Sequence, residues 1–416
     1  MMTSFETRAA QLDAADPLAA HRAKFFGTDE ATQSSTPGMP LAYFDGNSLG
    51  RPLAASMERI EDFMRSEWGT RLIRSWEEKW VDLPLELGDR IGAAALGAAA
   101  GQTLVADSTS VLMYKAARAA LDARPGRTEI VLDTDNFPTD RYLMEGIAAE
   151  RNMTLRWIEA DPATGVTADQ VSEVVSDKTA LVLLSHVSYR SAFIADAPTI
   201  TRIAHDAGAL IIWDLSHSVG SVVVELDAWG VDFAVGCSYK YLCGGPGAPA
   251  WLYVRKDLQE QLRQPIQGWF GAKDMFLMGP GYQPAAGIRR FITGTSPVLG
   301  MQALIDPVEL ISEVGMPAIR AKSQLLTQYV IDFADEVLAP LNVTVSSPRD
   351  ASIRGGHVIV NHPDMQEVNS RLWAEDIIPD YRDPHGLRLG LSPLSTSFSE
   401  VYLGLERVRE VLLSLR

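Results

Sequence analysis

One carboxylate and one amine in this chain are delivered in a way that suits chemistry. The apolar run Ile211-Ile212-Trp213 ends in Asp214 and continues as Leu215-Ser216-His217, and further on Ser238-Tyr239-Lys240-Tyr241 leads into Gly244-Gly245-Pro246-Gly247. An apolar run closed by a single charge is the pattern of a buried strand carrying one group to a pocket. A second such run, 231–236, delivers the lysine beside a glycine-rich turn. The plainer alternative makes Asp214 a helix cap and Lys240 a solvated cation. It does not explain an ammonium set among apolar and glycine residues, where burial without a partner is costly. A carboxylate that keeps a pyridine nitrogen protonated, with a lysine that condenses with an aldehyde, is the minimum apparatus for pyridoxal phosphate chemistry on an amino acid.

Such groups need strand ends to hold them. Apolar, β-branched stretches at 128–132, 154–158, 179–185, 209–214 and 231–236 alternate with segments of helical spacing. Thr167-Ala168-Asp169-Gln170 has the form of a capping box, and Gly208 is placed to end a helix that begins near Pro198. The alternation predicts right-handed βαβ units and an α/β fold whose large domain is a mostly parallel sheet sandwiched by helices. Ligands of such sheets lie beyond the carboxyl ends of the strands, where Asp214 and Lys240 fall. From about Gly300 the pattern changes to a long helix over 317–338, short strands near 343–346 and 357–360, and an amphipathic helix over 398–415, which predicts a smaller α+β C-terminal domain. The expected division is an N-terminal segment 1–50, a large cofactor-binding domain 51–300 and a small domain 301–416, with 28–40 as a flexible loop.

Composition narrows the partners. With 37 Lys and Arg against 53 Asp and Glu, the formal net charge is -16, which argues against nucleic acid, since phosphate binding needs clustered cations. No basic segment leads into an apolar stretch at the N-terminus and no window reaches membrane-spanning length, so a soluble, cytoplasmic protein without a membrane partner is expected. Cys237 and Cys243 are the two cysteines, too few for a disulfide framework or a four-thiolate zinc site, and no metal is expected. Both thiols read most simply as small packing residues.

Seven ordered segments, YFDGNSLGRPL, LIRSW, NFPTD, WDLSHSVG, CSYKYLCGGPGAPAWLYV, GWFGA and FITGTSPV, resemble the motifs of bacterial kynureninases, in the class V aminotransferase-like group of pyridoxal phosphate fold type I. The resemblance runs from about Tyr43 to the C-terminus and implies a role for individual residues. Lys240 would carry the cofactor, Asp214 would hold the pyridine nitrogen, and Thr109 and Ser110, at the start of a helical run over 111–123, would take the phosphate. Hydroxyls in that position also serve as ordinary helix caps. Phe137 would stack on the ring with Asp140 in support, although an aromatic after a strand is often plain core. Ser185 would lie near the ring. His217 would shape the site beside Asp214, or act only as a structural hydrogen-bonder, and Tyr239 would contact the phosphate and act as an acid.

The same resemblance implies a homodimer with shared active sites. Trp269 and Thr295 would reach the phosphate or substrate of the second subunit, Trp76 would line the substrate side, and Arg388 would bind the α-carboxylate of a small amino-acid substrate. Ser188, Cys243 and Ala272 depart from the pattern, which usually has asparagine at the first two positions and histidine at the third. The activity implied is hydrolysis of the Cβ–Cγ bond of L-kynurenine, 3-hydroxykynurenine or another ring-substituted kynurenine to an anthranilate and L-alanine. An aminotransferase or related lyase would use the same Asp214 and Lys240. A cysteine desulfurase needs a cysteine well beyond the lysine, and none follows Cys243. A catalytically idle cofactor-binding protein would have little reason to keep Lys240, Asp214 and Arg388 together.

Overall fold

The computed structural model describes residues 4–277 and 279–416, so residues 1–3 of the expected N-terminal segment lie outside it. In chain order the first strands are β1 (Ala42–Tyr43), β2 (Thr103–Ala106), β3 (Glu129–Asp133), β4 (Thr154–Ile158) and β5 (Thr179–Ser185). Next come β6 (Leu210–Asp214), β7 (Phe233–Gly236), β8 (Ala250–Val254) and β9 (Thr344–Val345). The last are β10 (His357–Asn361), β11 (Ile377–Ile378), β12 (Asp380–Arg382) and β13 (Gly386–Gly390). Seven of them form one sheet in the order β2-β8-β7-β6-β5-β3-β4. The strands from β3 to β7 pair in parallel, while β8 runs antiparallel to both neighbours.

The unbroken apolar runs of β5 and β6 follow from this placement. Val182, Leu184, Ile211 and Trp213 face one core, and Leu181, Leu183, Leu210 and Ile212 face the other. With helices over both faces there is no wet side to force alternation. The helices between strands start and stop as their sequences suggest. Thr167 closes a capping box with Gln170 ahead of the helix Ala168–Val174. Gly208 follows the helix Ala197–Asp206 at φ 78°, where a Cβ would lie 2.2 Å from the Arg127 guanidinium.

A second, four-stranded antiparallel sheet runs β12-β13-β10-β9, and β1 pairs in parallel with β11. Its core gathers Val358, Val360, Leu387 and Leu389 with Phe398 and Leu405 of the terminal helix Phe398–Ser414, and with Phe5 and Ala9 of the first helix, Ser4–Ala15. The N-terminal residues thus belong to this smaller core.

Besides the strands β2, β8, β12 and β13, which the sequence reading did not include, three helical stretches differ from it. The helix Val298–Val314 was not foreseen; it spans position 300 and sends Met301, Leu304 and Ile311 into the core of the large sheet. Gly300 near its start and Pro307 within it hide its periodicity. The segment 317–338 is an α-helix only over Met316–Phe333, and the turn Ala334–Leu338 widens to a π-helix. The stretch 28–40, expected as a loop, contains the helix Glu30–Ser35, because Asp29 caps it by accepting from the Thr32 N–H.

Candidate cofactor site

Parallel strands present their carboxyl ends to one side, and here β5 and β6 end in step, Ser185 opposite Asp214. A cavity of about 100 Å³ beyond these ends brings together Thr109, Ser110, Phe137, Asp140, Ser185, Asp214, His217, Tyr239 and Lys240. Asp214 is buried; its Oδ1 accepts the Ser216 N–H at 2.8 Å. Lys240 lies in the connection from β7 to β8, so the antiparallel return of the chain pins both flanks of its loop. Its Nζ donates to His217 Nε2 at 3.2 Å and stands 5.8 Å from the centre of the Phe137 ring.

Electrostatics sort these groups by protonation. Burial, reinforced by the charges of Lys240 and Arg388, holds the His217 imidazole well below its usual range, so it is neutral and able to accept. Burial first, then the adjacent Asp214 and Asp133, raise Asp140 well above the carboxylate range. Its Oδ2 has no other partner, so a protonated Asp140 donates to Asp214. Burial also raises the Tyr239 hydroxyl, which therefore remains a donor.

The residues present fit a phosphorylated pyridine cofactor. Thr109 and Ser110 open the helix Thr109–Asp122, whose N-cap Ser108 makes no side-chain capping bond, leaving first-turn N–H groups for an anion. Ahead of this helix Asp107 turns at φ 48°, its carboxylate bonded to the buried Lys115 ammonium at 2.5 Å. Phe137, placed by Pro138 at the next helix start, is 37% exposed and offers a ring face to the cavity. Ser185 is fixed by a 2.8 Å hydrogen bond to Asn136 Oδ1, which also takes the Phe137 N–H.

Four of the residues named from the sequence do not line this cavity. Arg388 sits in β13, buried, donating to Tyr189 O at 2.7 Å and Ser48 Oγ at 3.0 Å and paired with Asp380 at 2.5 Å. With its amide turned oxygen-inward, Asn47 accepts from Arg388 Nε at 2.9 Å. Trp76 and Trp269 stack on each other with centroids 5.8 Å apart and planes at 14°, and Trp269 is 38% exposed. Thr295 lies in the turn before the helix Val298–Val314.

Sequence reasoning missed several neighbours. Ser216 was readable, being next but one to Asp214. Tyr189 lines the cavity and meets the Phe137 ring edge-on at 5.6 Å, and its position beside Ser188 was the available signal. His357 gave no signal: it comes from β10 in the other sheet, with its ring 5.7 Å from that of His217.

The departures have local explanations. Cys243 is buried at φ 53°, a left-handed conformation that asparagine adopts more readily than cysteine, and burial pushes its thiol up to about 12. Ser188 closes a turn with Phe193 and Ala192, and Ala272 bridges to Pro284 behind Trp269.

Comparison with known proteins places these features in a family. The model of the aminotransferase class-V family matches residues 93–371. A kynureninase of Pseudomonas fluorescens is 37% identical over 410 residues, 96% of this chain and 94% of that protein. A kynureninase of Burkholderia pseudomallei is 38% identical over the same shares. Among solved structures, a cysteine desulfurase from Thermococcus onnurineus superposes with a TM-score of 0.77 at 20% identity, covering 90% of this chain and 95% of that one. One from Escherichia coli does so at 0.77 and 16%, covering 96% and 98%. These two show the fold of pyridoxal phosphate fold type I, and the sequence relatives show the branch within it: the chain belongs to the class-V aminotransferase family and, inside that family, to the kynureninases.

Proposed function

We propose that this chain is a pyridoxal phosphate-dependent hydrolase that cleaves the Cβ–Cγ bond of L-kynurenine, or of a ring-substituted kynurenine such as 3-hydroxykynurenine, to an anthranilate and L-alanine. The observation that carries it is the convergence of Asp214, Lys240 and a neutral His217 on one strand-end cavity in a chain related to kynureninases along nearly its whole length.

Bound pyridoxal phosphate supplies an electron sink for bond cleavage at the amino acid's α and β carbons. The protein supplies the rest. Asp214, receiving a hydrogen bond from protonated Asp140, holds the proton on the pyridine nitrogen. Thr109, Ser110 and the helix start behind them would take the phosphate, and Phe137 would offer the ring an aromatic surface. Lys240 Nζ anchors the cofactor and moves the proton at the substrate Cα, with His217 as its hydrogen-bond partner. Tyr239, held protonated, donates to the oxygen that gains charge at Cγ when water adds there.

Arg388 receives the α-carboxylate by exchange with Asp380, the carboxylate it holds in this structure. The exposed ring of Trp269, stacked on the half-buried Trp76, supports a homodimer in which Trp269 and Thr295 complete the neighbouring site and Trp76 lines the substrate side. No helix among the described residues is long and apolar enough to cross a membrane, and both cysteines are unpaired, which supports a cytoplasmic setting. Desulfuration is disfavoured because Cys237 and Cys243 are buried and burial raises both thiols.

The test is direct. Purified enzyme loaded with pyridoxal phosphate, given L-kynurenine or 3-hydroxykynurenine, should release a fluorescent anthranilate and one equivalent of alanine. Cysteine, and alanine with pyruvate, serve as parallel substrates for desulfuration and transamination. No cleavage of either kynurenine by cofactor-loaded enzyme would overturn the reading.

A further inference from the structure

Next to the end of β5, where His186 follows Ser185, lies a second cavity of about 630 Å³. It shares no lining residue with the cofactor cavity. Its walls are mainly apolar, with Phe193, Ile194, Val222, Val223 and Trp229, and its polar depth is formed by His186 and Arg320. It is an open cleft whose volume and apolar lining fall in the range of small-molecule sites.

Arg320, 9% exposed, projects from the helix Met316–Phe333. Of its five N–H donors, Nη2 bonds to the Ala351 carbonyl at 2.7 Å, and Nη1 is buried with no partner. No carboxylate among the described residues lies within ion-pairing distance of it. Burial alone pulls its pKa down, to about 10, with no nearby anion opposing the shift. Arg354, beneath it, is also buried and also lacks an ion pair, bonding instead to Thr327, Gln328 and the carbonyls of Pro348 and Arg349. Arg354 has the charges of Asp350 and Asp332 nearby, whereas Arg320 has none, and a buried guanidinium without a counter-charge is costly and is relieved by an anion. The acidic side chains of the cavity, Asp169 and Asp196, are exposed at its rim, and Asp196 is committed to the Thr199 N–H. His186 adds no positive charge, since burial and then Arg320 push its imidazole down to about 4.

We infer that this cavity binds a small organic monocarboxylate with an apolar or aromatic body, its carboxylate on Arg320 and its body against Trp229, Phe193 and Val223. One planar bidentate donor suits a carboxylate. The apolar walls favour such a molecule over inorganic phosphate. The inference does not depend on which reaction the cofactor site catalyses.

The occupant would sit one residue from that site. The His186 N–H bonds to the Asp214 carbonyl at 3.0 Å, and His186 Nδ1 bonds to Ser218 Oγ, beside His217, at 2.9 Å.

Titration calorimetry on the full-length, cofactor-loaded enzyme with 3-phenylpropanoate tests it, with 3-phenylpropan-1-ol and inorganic phosphate as comparison probes. One saturable site per chain is expected for the carboxylate, with at least tenfold weaker binding of the alcohol and of phosphate. Arg320→Met should weaken the carboxylate at least tenfold, Arg320→Lys less, and Val223→Trp, which fills the cavity, should abolish it. Lys240→Ala should leave it unchanged. Circular dichroism melting of each variant identifies any that fail to fold, and Val223→Trp provides an answer independent of the arginine. No saturable binding, binding that survives both Arg320→Met and Val223→Trp in folded protein, binding lost in Lys240→Ala alone, or phosphate binding as tightly as the carboxylate would each overturn the inference.

Discussion

At the strand ends, Ser185, Asp214 and Lys240 reach one cavity from two strands and a connection of a single sheet, whereas Trp76 and Trp269 stack on each other and stay clear of that cavity. The first group is held by the most deeply buried strands of the molecule. Asp214 closes a strand buried at every residue, and Ser185 is locked to Asn136. The aromatic group rests on the buried Phe270 from inside, but Trp269 and Phe276 present apolar area outward. Under the proposed homodimer, the first group is the part of the site that one chain builds alone and the second is the part that a second copy would complete. Substitutions in the strand-end group should therefore act on turnover without touching assembly, and those in the aromatic group should act on assembly first.

The largest effect is expected from Lys240→Ala, which removes both the cofactor anchor and the proton carrier. Turnover should fall by about 10⁴-fold or more, and borohydride should no longer fix the cofactor to the protein. Label persisting on the variant would place the anchor elsewhere. Asp214→Asn should keep the cofactor bound but lose roughly 10²-fold in turnover, about 2.7 kcal/mol of activation free energy, because an amide does not hold a pyridinium proton. Steady-state rates within about threefold of the parent, roughly 0.65 kcal/mol, would mean that another group holds the ring nitrogen.

Trp269→Ala should leave the fold intact and weaken self-association by at least about tenfold, as for an aromatic anchor at an interface, measured by analytical ultracentrifugation. Mixing it with Lys240→Ala should restore part of the activity through hybrid dimers carrying one intact site. A parent protein that stays monomeric at working concentration would break the comparison at its root.

An effect on stability alone, without one on turnover, concerns the cost of crowding acids at the strand ends. Burial, with Asp135 adding to it, raises Asp133 at the end of β3 to about 7. Its folded pKa thus lies above its unfolded one, so the folded chain holds the proton more tightly. Stability should fall as pH rises from the ordinary carboxylate range to about 7 and stay lower above it. Asp133→Asn removes this dependence and should gain on the order of 3 kcal/mol relative to the parent at alkaline pH, less near pH 5. Melting midpoints at the two pH values check this, and an equal shift at both would locate the effect in packing.

The strand-end group was the legible part of the sequence because its signal is local: an apolar run, then one polar residue of the right type. Asp214, Ser185 and Lys240 all carry that signature, and the capping box at Thr167 carries its own. Arg388 was found only through the motif it belongs to, and its pairing with Asp380 depends on the register of β12 against β13. His357 was not found, since nothing around it in sequence points to a ring on another sheet. The antiparallel strands β2 and β8 escaped because they are short or follow a glycine-rich turn. The helix Val298–Val314 escaped because Pro307 breaks its local preference while burial against the large sheet holds it together.

The stretch between β1 and the first helix of the large unit touches both halves of the site. The Phe44 carbonyl accepts the Gly390 N–H at 2.6 Å, and Ser48 accepts from Arg388, so this stretch is tied to the strand that carries the arginine. A few residues later the Gly50 N–H bonds to the Tyr239 carbonyl at 2.8 Å, and a Cβ on Gly50 would lie 2.3 Å from the Lys240 carbonyl. There is no slack at that crossing. If Arg388 takes the substrate carboxylate as proposed, the group that leaves Asp380 is joined through Ser48 and Gly50 to the backbone at Lys240, so filling the arginine would be felt at the lysine over a segment that itself contributes no reactive group.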